Sequence, residues 1–244
     1  MTGDDAVREL DQPEESAAEH EEASSARGYD DAIRAAIPGY ELLHESVAAF
    51  LPGVINDHAT VLVVGAGTGE EIVRMSRANP GWRYVAEDPS AEMLDVAREK
   101  LAAAGAADRV EFVTGPIEDV PQGERFDGAT MILVQHFLPD DGAKLAILRE
   151  VAARLRPGTP LFLANMHGDL DAEPDTRRYQ AWKRRQMARG MSAEDAEGMF
   201  SGLPTVVHFV SEGRTRQLLE EAGFMDIQNV FRAFVIGGWV ATRR

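Results

Sequence analysis

The sequence predicts an α/β fold: a doubly wound sheet, mostly parallel, with helices on both faces and an antiparallel strand near the C-terminus. Three observations predict it. Short apolar runs alternate with stretches of helical period between residues 60 and 166. The first run is uninterrupted from Val61 to Val64, as a strand buried on both faces requires. A glycine-rich turn, Gly65-Ala66-Gly67-Thr68-Gly69, follows it directly, at the strand edge where such folds place their ligands.

The elements follow in order. Ile33, Ile37, Leu42, Leu43, Val47 and Phe50 recur at helical spacing, and Pro38-Gly39 separates two short helices. After strand 60–64, a helix over about 69–78 is closed by Asn79-Pro80-Gly81. Residues 83–86 form the second strand. Ser90 is the N-cap of a helix to about 104, with Met93, Leu94, Ala97 and Leu101 on its apolar face. Residues 110–113 and 126–134 read as the third and fourth strands. A helix over about 141–155 carries Leu145, Leu148, Val151, Ala152 and Leu155 on one side and stops at Arg156-Pro157-Gly158, before a fifth strand at 160–164. Residues 168–207 break the rhythm. They are polar, with helices expected at 175–188 and 192–200, and read as a lid inserted over the ligand edge. A helix at 211–222 and strands at 224–231 and 234–241 complete the count of seven strands. Only Arg232 and Ala233 separate the last two, which predicts a tight hairpin.

Composition limits the function classes. The 244 residues carry a formal net charge of −16 and no cysteine. That excludes disulfides, thiolate metal sites and a cysteine nucleophile, and fits a reducing, cytoplasmic setting. Residues 1–27 account for −7 of the charge. They lack large apolar side chains, so a disordered acidic tail is expected there and one folded domain over 28–244. Both parts are acidic, which argues against nucleic acid as partner. The absence of a long apolar run argues against a membrane span. The densest basic cluster, Arg177, Arg178, Lys183, Arg184, Arg185 and Arg189, reads as a solvated helix face.

The loop narrows the ligand. A phosphate-binding loop needs Lys and Ser or Thr after its last glycine, but Glu70 and Glu71 stand here and would repel a polyphosphate. A nicotinamide dinucleotide expects G-x-G-x-x-G, which this spacing does not match. S-adenosylmethionine has no phosphate and carries an ammonium and a sulfonium, so acids beside the loop are tolerable. Asp88, in Glu87-Asp88-Pro89-Ser90, stands where a carboxylate would accept both hydroxyls of a ribose. Glu87 competes for that role.

On the stretches 61–69, 87–94, 112–121, 126–129 and 155–158 the sequence resembles the class I S-adenosylmethionine-dependent methyltransferases. The resemblance implies a Rossmann-like sheet with S-adenosylmethionine as cofactor. Gly65, Ala66, Gly67 and Gly69 would hold its methionine portion, with Leu133 near the end of the fourth strand. Asp88 would hold the ribose, and Pro89 and Met93 would pack near the adenine. Pro116, Ile117 and Glu118 would meet the adenine edge. An Asp often stands in that family where Pro116 stands here, which leaves adenine recognition to Glu118 or to backbone groups.

The flanks Tyr29-Asp30-Asp31, Ile37-Pro38-Gly39-Tyr40, Gln135-His136-Phe137-Leu138 and Glu221-Ala222-Gly223-Phe224, with the C-terminal run 234–241, resemble the carboxy-S-adenosylmethionine synthase branch and its plain methyltransferase relatives. In the synthases a tyrosine of the Pro-Gly-Tyr segment lines the cofactor site, which maps to Tyr40. An arginine before the penultimate helix holds the extra carboxylate. His208 or Phe209 falls at that place here, and Arg214 lies inside the helix. This departure favours ordinary S-adenosylmethionine and methyl transfer to a small molecule. Carboxy-S-adenosylmethionine synthesis, or a non-catalytic binder, is the alternative.

Methyl transfer from a sulfonium asks mainly for positioning. A general base serves only hydroxyl or acidic carbon acceptors. His136, after the fourth strand, and His167, after the fifth, are the candidates, and His208 is a substrate-side third. Tyr179 and Trp182 would line an apolar acceptor pocket under the lid, or equally form the lid's own core or a homodimer contact. No tight histidine pair suggests a metal.

Overall fold

The structure is a computed structural model that describes residues 26–123 and 125–244. The expected disordered tail therefore lies outside the described residues, apart from its last two. Ala26 is buried and Arg27 pairs with Glu99.

Two helices, α1 (Tyr29–Ala36) and α2 (Tyr40–Phe50), precede the sheet. The alternation is β1 (Thr60–Val64), α3 (Glu70–Ala78), β2 (Arg83–Asp88), α4 (Ala91–Ala103), β3 (Val110–Thr114), β4 (Gly128–Ile132), α5 (Ala143–Arg154) and β5 (Pro160–Met166). Then come α6 (Asp175–Ala188), α7 (Ala193–Val206), α8 (Glu212–Glu221), β6 (Phe224–Ala233) and β7 (Ile236–Arg243). The seven strands lie in the order β3-β2-β1-β4-β5-β7-β6. Neighbours are parallel from β3 to β5, and β7 runs antiparallel to both β5 and β6. The order reverses between β1 and β4, so a crevice opens at their carboxyl ends.

Strand alternation builds a core on each face. Val61, Val63, Phe162 and Ala164 face α2, α3, α4 and the lid helices, packing with Leu43, Ile72, Leu94 and Trp182. Leu62, Val64, Leu161 and Leu163 face α5 and α8, packing with Leu148, Val151, Leu218 and Leu219. Burial on both faces is why these strands read as continuous apolar runs. Ser90 caps α4 by accepting from the Met93 N–H at 3.3 Å, as its position before an apolar face predicts.

Three boundaries differ from expectation, each for a local reason. β4 starts at Gly128, not Phe126, which makes only an isolated bridge to Leu155. It stops at Ile132 because Leu133 turns to φ 60°. The hairpin turns at Phe234-Val235, two residues later than expected, with Ala233 paired to Ile236. Phe234 takes φ 56°, a conformation usually marked by Gly or Asn, so the turn carries no sequence signal. α7 continues past Phe200 through Pro204 to Val206. Proline has no N–H for the Phe200 carbonyl, and the Tyr179 hydroxyl donates to that carbonyl instead, at 2.5 Å.

Candidate functional site

The glycine loop is shaped by the two acids that end β2. The Gly65 N–H donates to Glu87 Oε2 at 3.2 Å, and the Ala66 N–H to the Glu87 carbonyl at 2.8 Å. The Gly67 N–H donates to Asp88 Oδ2 at 2.8 Å, while Asp88 Oδ1 accepts from the Ser90 N–H at 2.8 Å. Both acids therefore reach the loop. Glu87 is the loop's inner anchor; burial pushes its carboxyl up to about 7, against the pull of the Gly65 N–H. Asp88 lies further out and keeps lone pairs beyond the two it uses.

Two glycines of the loop differ in kind. A Cβ on Gly65 would fall 2.3 Å from Val134 Cγ2, so this position is closed by the protein. A Cβ on Gly67 would meet nothing within 4 Å. Both have positive φ (64° and 52°), but only Gly67 faces open space where a ligand could approach.

Beside the loop lies a cavity of about 40 Å³ lined by Tyr29, Tyr40, His44, residues 65–68, Glu70, Glu71, Ile132 and Leu133. At roughly 10–15 Å³ per water it admits a group of a few heavy atoms, not a nucleoside. Leu133 lines it from the left-handed region with its N–H held by the Ala164 carbonyl at 2.7 Å, a strain of the kind that collects at ligand sites. No lysine or arginine is among the lining residues.

The two acids predicted to turn the loop from phosphate have separate fates. Burial acts to raise the Glu70 carboxyl, but Lys100 (3.1 Å), Arg74 (2.9 Å) and Arg34 (2.8 Å) outweigh it and hold it down to about 2. Glu70 is thus an ionised hub. Asp30 of α1 joins it through Lys100 (2.6 Å) and the Thr68 hydroxyl (2.5 Å), and Glu41 pairs with Arg34 and Arg74. Together these groups clasp α1 over the loop. Glu71 points inward under β4, where burial raises it to about 8 despite a hydrogen bond from the Thr130 hydroxyl.

The other site residues are placed as follows. Tyr40 and Leu133 line the cavity with Gly65, Ala66 and Gly67; Gly69 caps α3. Pro89 and Met93 stand at the β2 end, and Pro116, Ile117 and Glu118 just beyond the β3 end. Ile117 is buried while Pro89, Pro116 and Glu118 are exposed. They share the strand edge with Asp88 but lie outside the cavity.

The histidines expected to act as bases are not brought to it. His136 is buried, its Nδ1 accepting from the Met166 N–H at 3.4 Å, and burial, then Lys144, lower it to about 3. Around it Lys144, Gln135 and Asn165 hydrogen-bond to one another. His167 is sealed between Gly237 and Trp239 and lowered to about 4, mainly by burial. His208 is exposed on a separate groove with Asp169 and Arg214. Tyr179 and Trp182 pack edge-on with Phe200, and the Trp182 Nε1–H donates to the Ala36 carbonyl at 3.1 Å. They form the lid's core, tied to α1. Arg214 is held by Asp140 at 2.8 and 2.9 Å, outside the cavity. Sequence reasoning missed His44 and the α1 clasp. The helical spacing of Tyr40 and His44, four residues apart, was the one available signal.

A methyltransferase domain family matches residues 61–158, from β1 to the start of the β5 approach. A carboxy-S-adenosyl-L-methionine synthase of Klebsiella pneumoniae is 25% identical over 222 residues, covering 89% of this chain and 88% of that protein. One of Desulfotalea psychrophila is 24% identical over 220 residues, covering 88% of each. Among solved structures, the 1,6-didemethyltoxoflavin-N1-methyltransferase of Burkholderia thailandensis has a TM-score of 0.61 at 22% identity, over 98% of this chain and 93% of that one. Its structure holds 1,6-didemethyltoxoflavin and S-adenosylhomocysteine. The mitomycin 7-O-methyltransferase has a TM-score of 0.64 at 22% identity, over 90% and 56%.

Proposed function

We infer that this chain, a class I S-adenosylmethionine-dependent methyltransferase, moves the cofactor's methyl group to a small-molecule acceptor. The observation that carries the reading is the loop: Gly67 faces open space beside Asp88, and the adjoining cavity has acids and no cation. When bound, the cofactor supplies an electrophilic methyl on a positive sulfur.

This chain's residues divide the binding. The free lone pairs of Asp88 suit two ribose hydroxyls, and Pro89, Met93 and Ile117 offer an apolar edge to the base, with Glu118 beside it. The cavity admits only the amino-acid end, between Tyr40, the loop and Leu133. Catalysis in this reading is alignment and exclusion of water rather than proton transfer. His136 and His167 then serve the β4–β5 edge, and Tyr179 and Trp182 hold the lid on α1.

What supports a small acceptor is a structural neighbour of nearly equal length holding a small heterocycle. The full-length similarity to carboxy-S-adenosyl-L-methionine synthases keeps that activity as a second reading. Against it stands the place before the penultimate helix, where the synthases use an arginine to hold the extra carboxylate and where His208 and Phe209 stand here. Calorimetry with S-adenosylmethionine tests the cofactor: micromolar binding is expected, and no heat at millimolar ligand refutes it. Mass spectrometry of the nucleoside after incubation with S-adenosylmethionine, with and without prephenate, separates the two activities. A carboxylated nucleoside appearing only with prephenate would favour the synthase.

A further inference from the structure

His44 stands one turn after Tyr40 on α2, so both side chains face the loop cavity. The rings meet edge-on with centroids 4.4 Å apart. His44 is 3% exposed, and neither Nδ1 nor Nε2 has a hydrogen-bond partner. A buried imidazole without partners is costly, and a leucine would fill the same space without that cost. Among the described residues two other histidines are buried. His136 has a backbone partner, and His167, whose nitrogens also lack partners, lies against Gly237 and Trp239, away from this cavity. Among the described histidines, His44 alone combines unpartnered nitrogens with a place in the lining beside Gly65, Ala66 and Gly67.

The chemistry of the ring states what it suits. Burial, with Arg74 and Arg34 nearby and against Glu70 and Glu41, lowers His44 to about 4, so the ring is neutral near pH 7. A neutral imidazole offers one N–H donor and one lone pair. An α-amino acid group offers a carboxylate acceptor and an ammonium donor, close together. The cavity's size matches such a group and not a nucleoside.

We propose that His44 is a positioning residue for S-adenosylmethionine, whose α-amino-acid end it would hold with one donated and one accepted hydrogen bond. The proposal rests on the cofactor reading above. Holding that end would fix the sulfonium along the loop and so aim the methyl group, without His44 touching the reacting atoms.

The test compares two ligands by calorimetry. S-adenosylhomocysteine has the amino-acid end, and 5′-methylthioadenosine is the same nucleoside thioether without it. In H44L, S-adenosylhomocysteine is expected to bind about 10- to 100-fold more weakly, and methylthioadenosine within twofold of wild type. H44Q, with an amide donor and acceptor, should recover part of the loss. H44F fills the space against Tyr40 and gives the same comparison where H44L does not fold. Equal affinity of wild type and variant for S-adenosylhomocysteine overturns the proposal, as does an equal loss for both ligands. Wild type that binds neither ligand overturns the cofactor reading, and the proposal with it.

Discussion

The carboxyl ends of β1 and β2 and those of β4 and β5 are both rich in buried polar groups, but they use them differently. At the first edge, carboxylates reach across to backbone N–H groups of a loop that leaves one side open: Glu87 to Gly65, Asp88 to Gly67. At the second, Gln135, Lys144, Asn165 and His136 bond to one another or to local backbone, with Asn165 Oδ1 left without a partner, and face no loop cavity. A polar group at the ligand edge of a sheet is therefore not a sign of chemistry by itself. What distinguishes the first edge is that its hydrogen bonds shape a surface instead of closing one.

Substitutions can break this contrast. The largest effect is expected at Asp88. D88A frees the N–H groups of Gly67 and Ser90 and removes the proposed ribose acceptor. A loss of at least about 100-fold in S-adenosylhomocysteine affinity by calorimetry is expected, since charged hydrogen bonds are worth about 1.5–3 kcal/mol each. Affinity within threefold of wild type would refute the role.

Next are the glycines. G65A drives a methyl group into Val134 and should lower stability in urea by about 2–4 kcal/mol, from overpacking and left-handed backbone strain together. G67A meets no atom and should cost only about 1–2 kcal/mol of strain while still impairing cofactor binding. Equal stability losses would show that the two positions are alike after all.

At the second edge, H136L should cost about 1–3 kcal/mol, because the Met166 N–H loses its partner, yet leave S-adenosylhomocysteine affinity within twofold. A tenfold loss of affinity would return His136 to the site.

A further effect concerns pH. Glu71 is raised to about 8 in the fold, above its ordinary carboxylate value. Its contribution is fully present below the ordinary value and is lost as pH rises through about 8. E71Q cannot ionise, so thermal unfolding of wild type should lose ground to E71Q between pH 5 and 9. Parallel curves would place the Glu71 carboxyl at an ordinary pKa.

Much of the first edge was legible in the sequence because its signals are local. The loop follows a strand within five residues, Asp88 ends the next strand, and Ser90 caps the next helix. The second lid helix and the helix after the lid were also readable, since Ser192 and Ser211 cap them by the same local rule. The second edge was not legible, because His136 and His167 owe their burial to Met166, Asn165, Gly237 and Trp239, which folding brings from other strands. His44 was missed for the same reason: its meaning comes from a loop more than twenty residues away. The hairpin turn at Phe234 lacked any residue that favours its backbone conformation.

The dual duty of Asp88 has an evolutionary corollary. The carboxylate that would read the nucleoside also braces Gly67 and starts α4 through Ser90. A drift in nucleoside preference at this position cannot be sampled independently, because each such change also loosens the loop and the helix behind it. The outer, exposed residues Pro89, Pro116 and Glu118 are proposed to flank the base; in that reading specificity would be tuned more freely there than at Asp88.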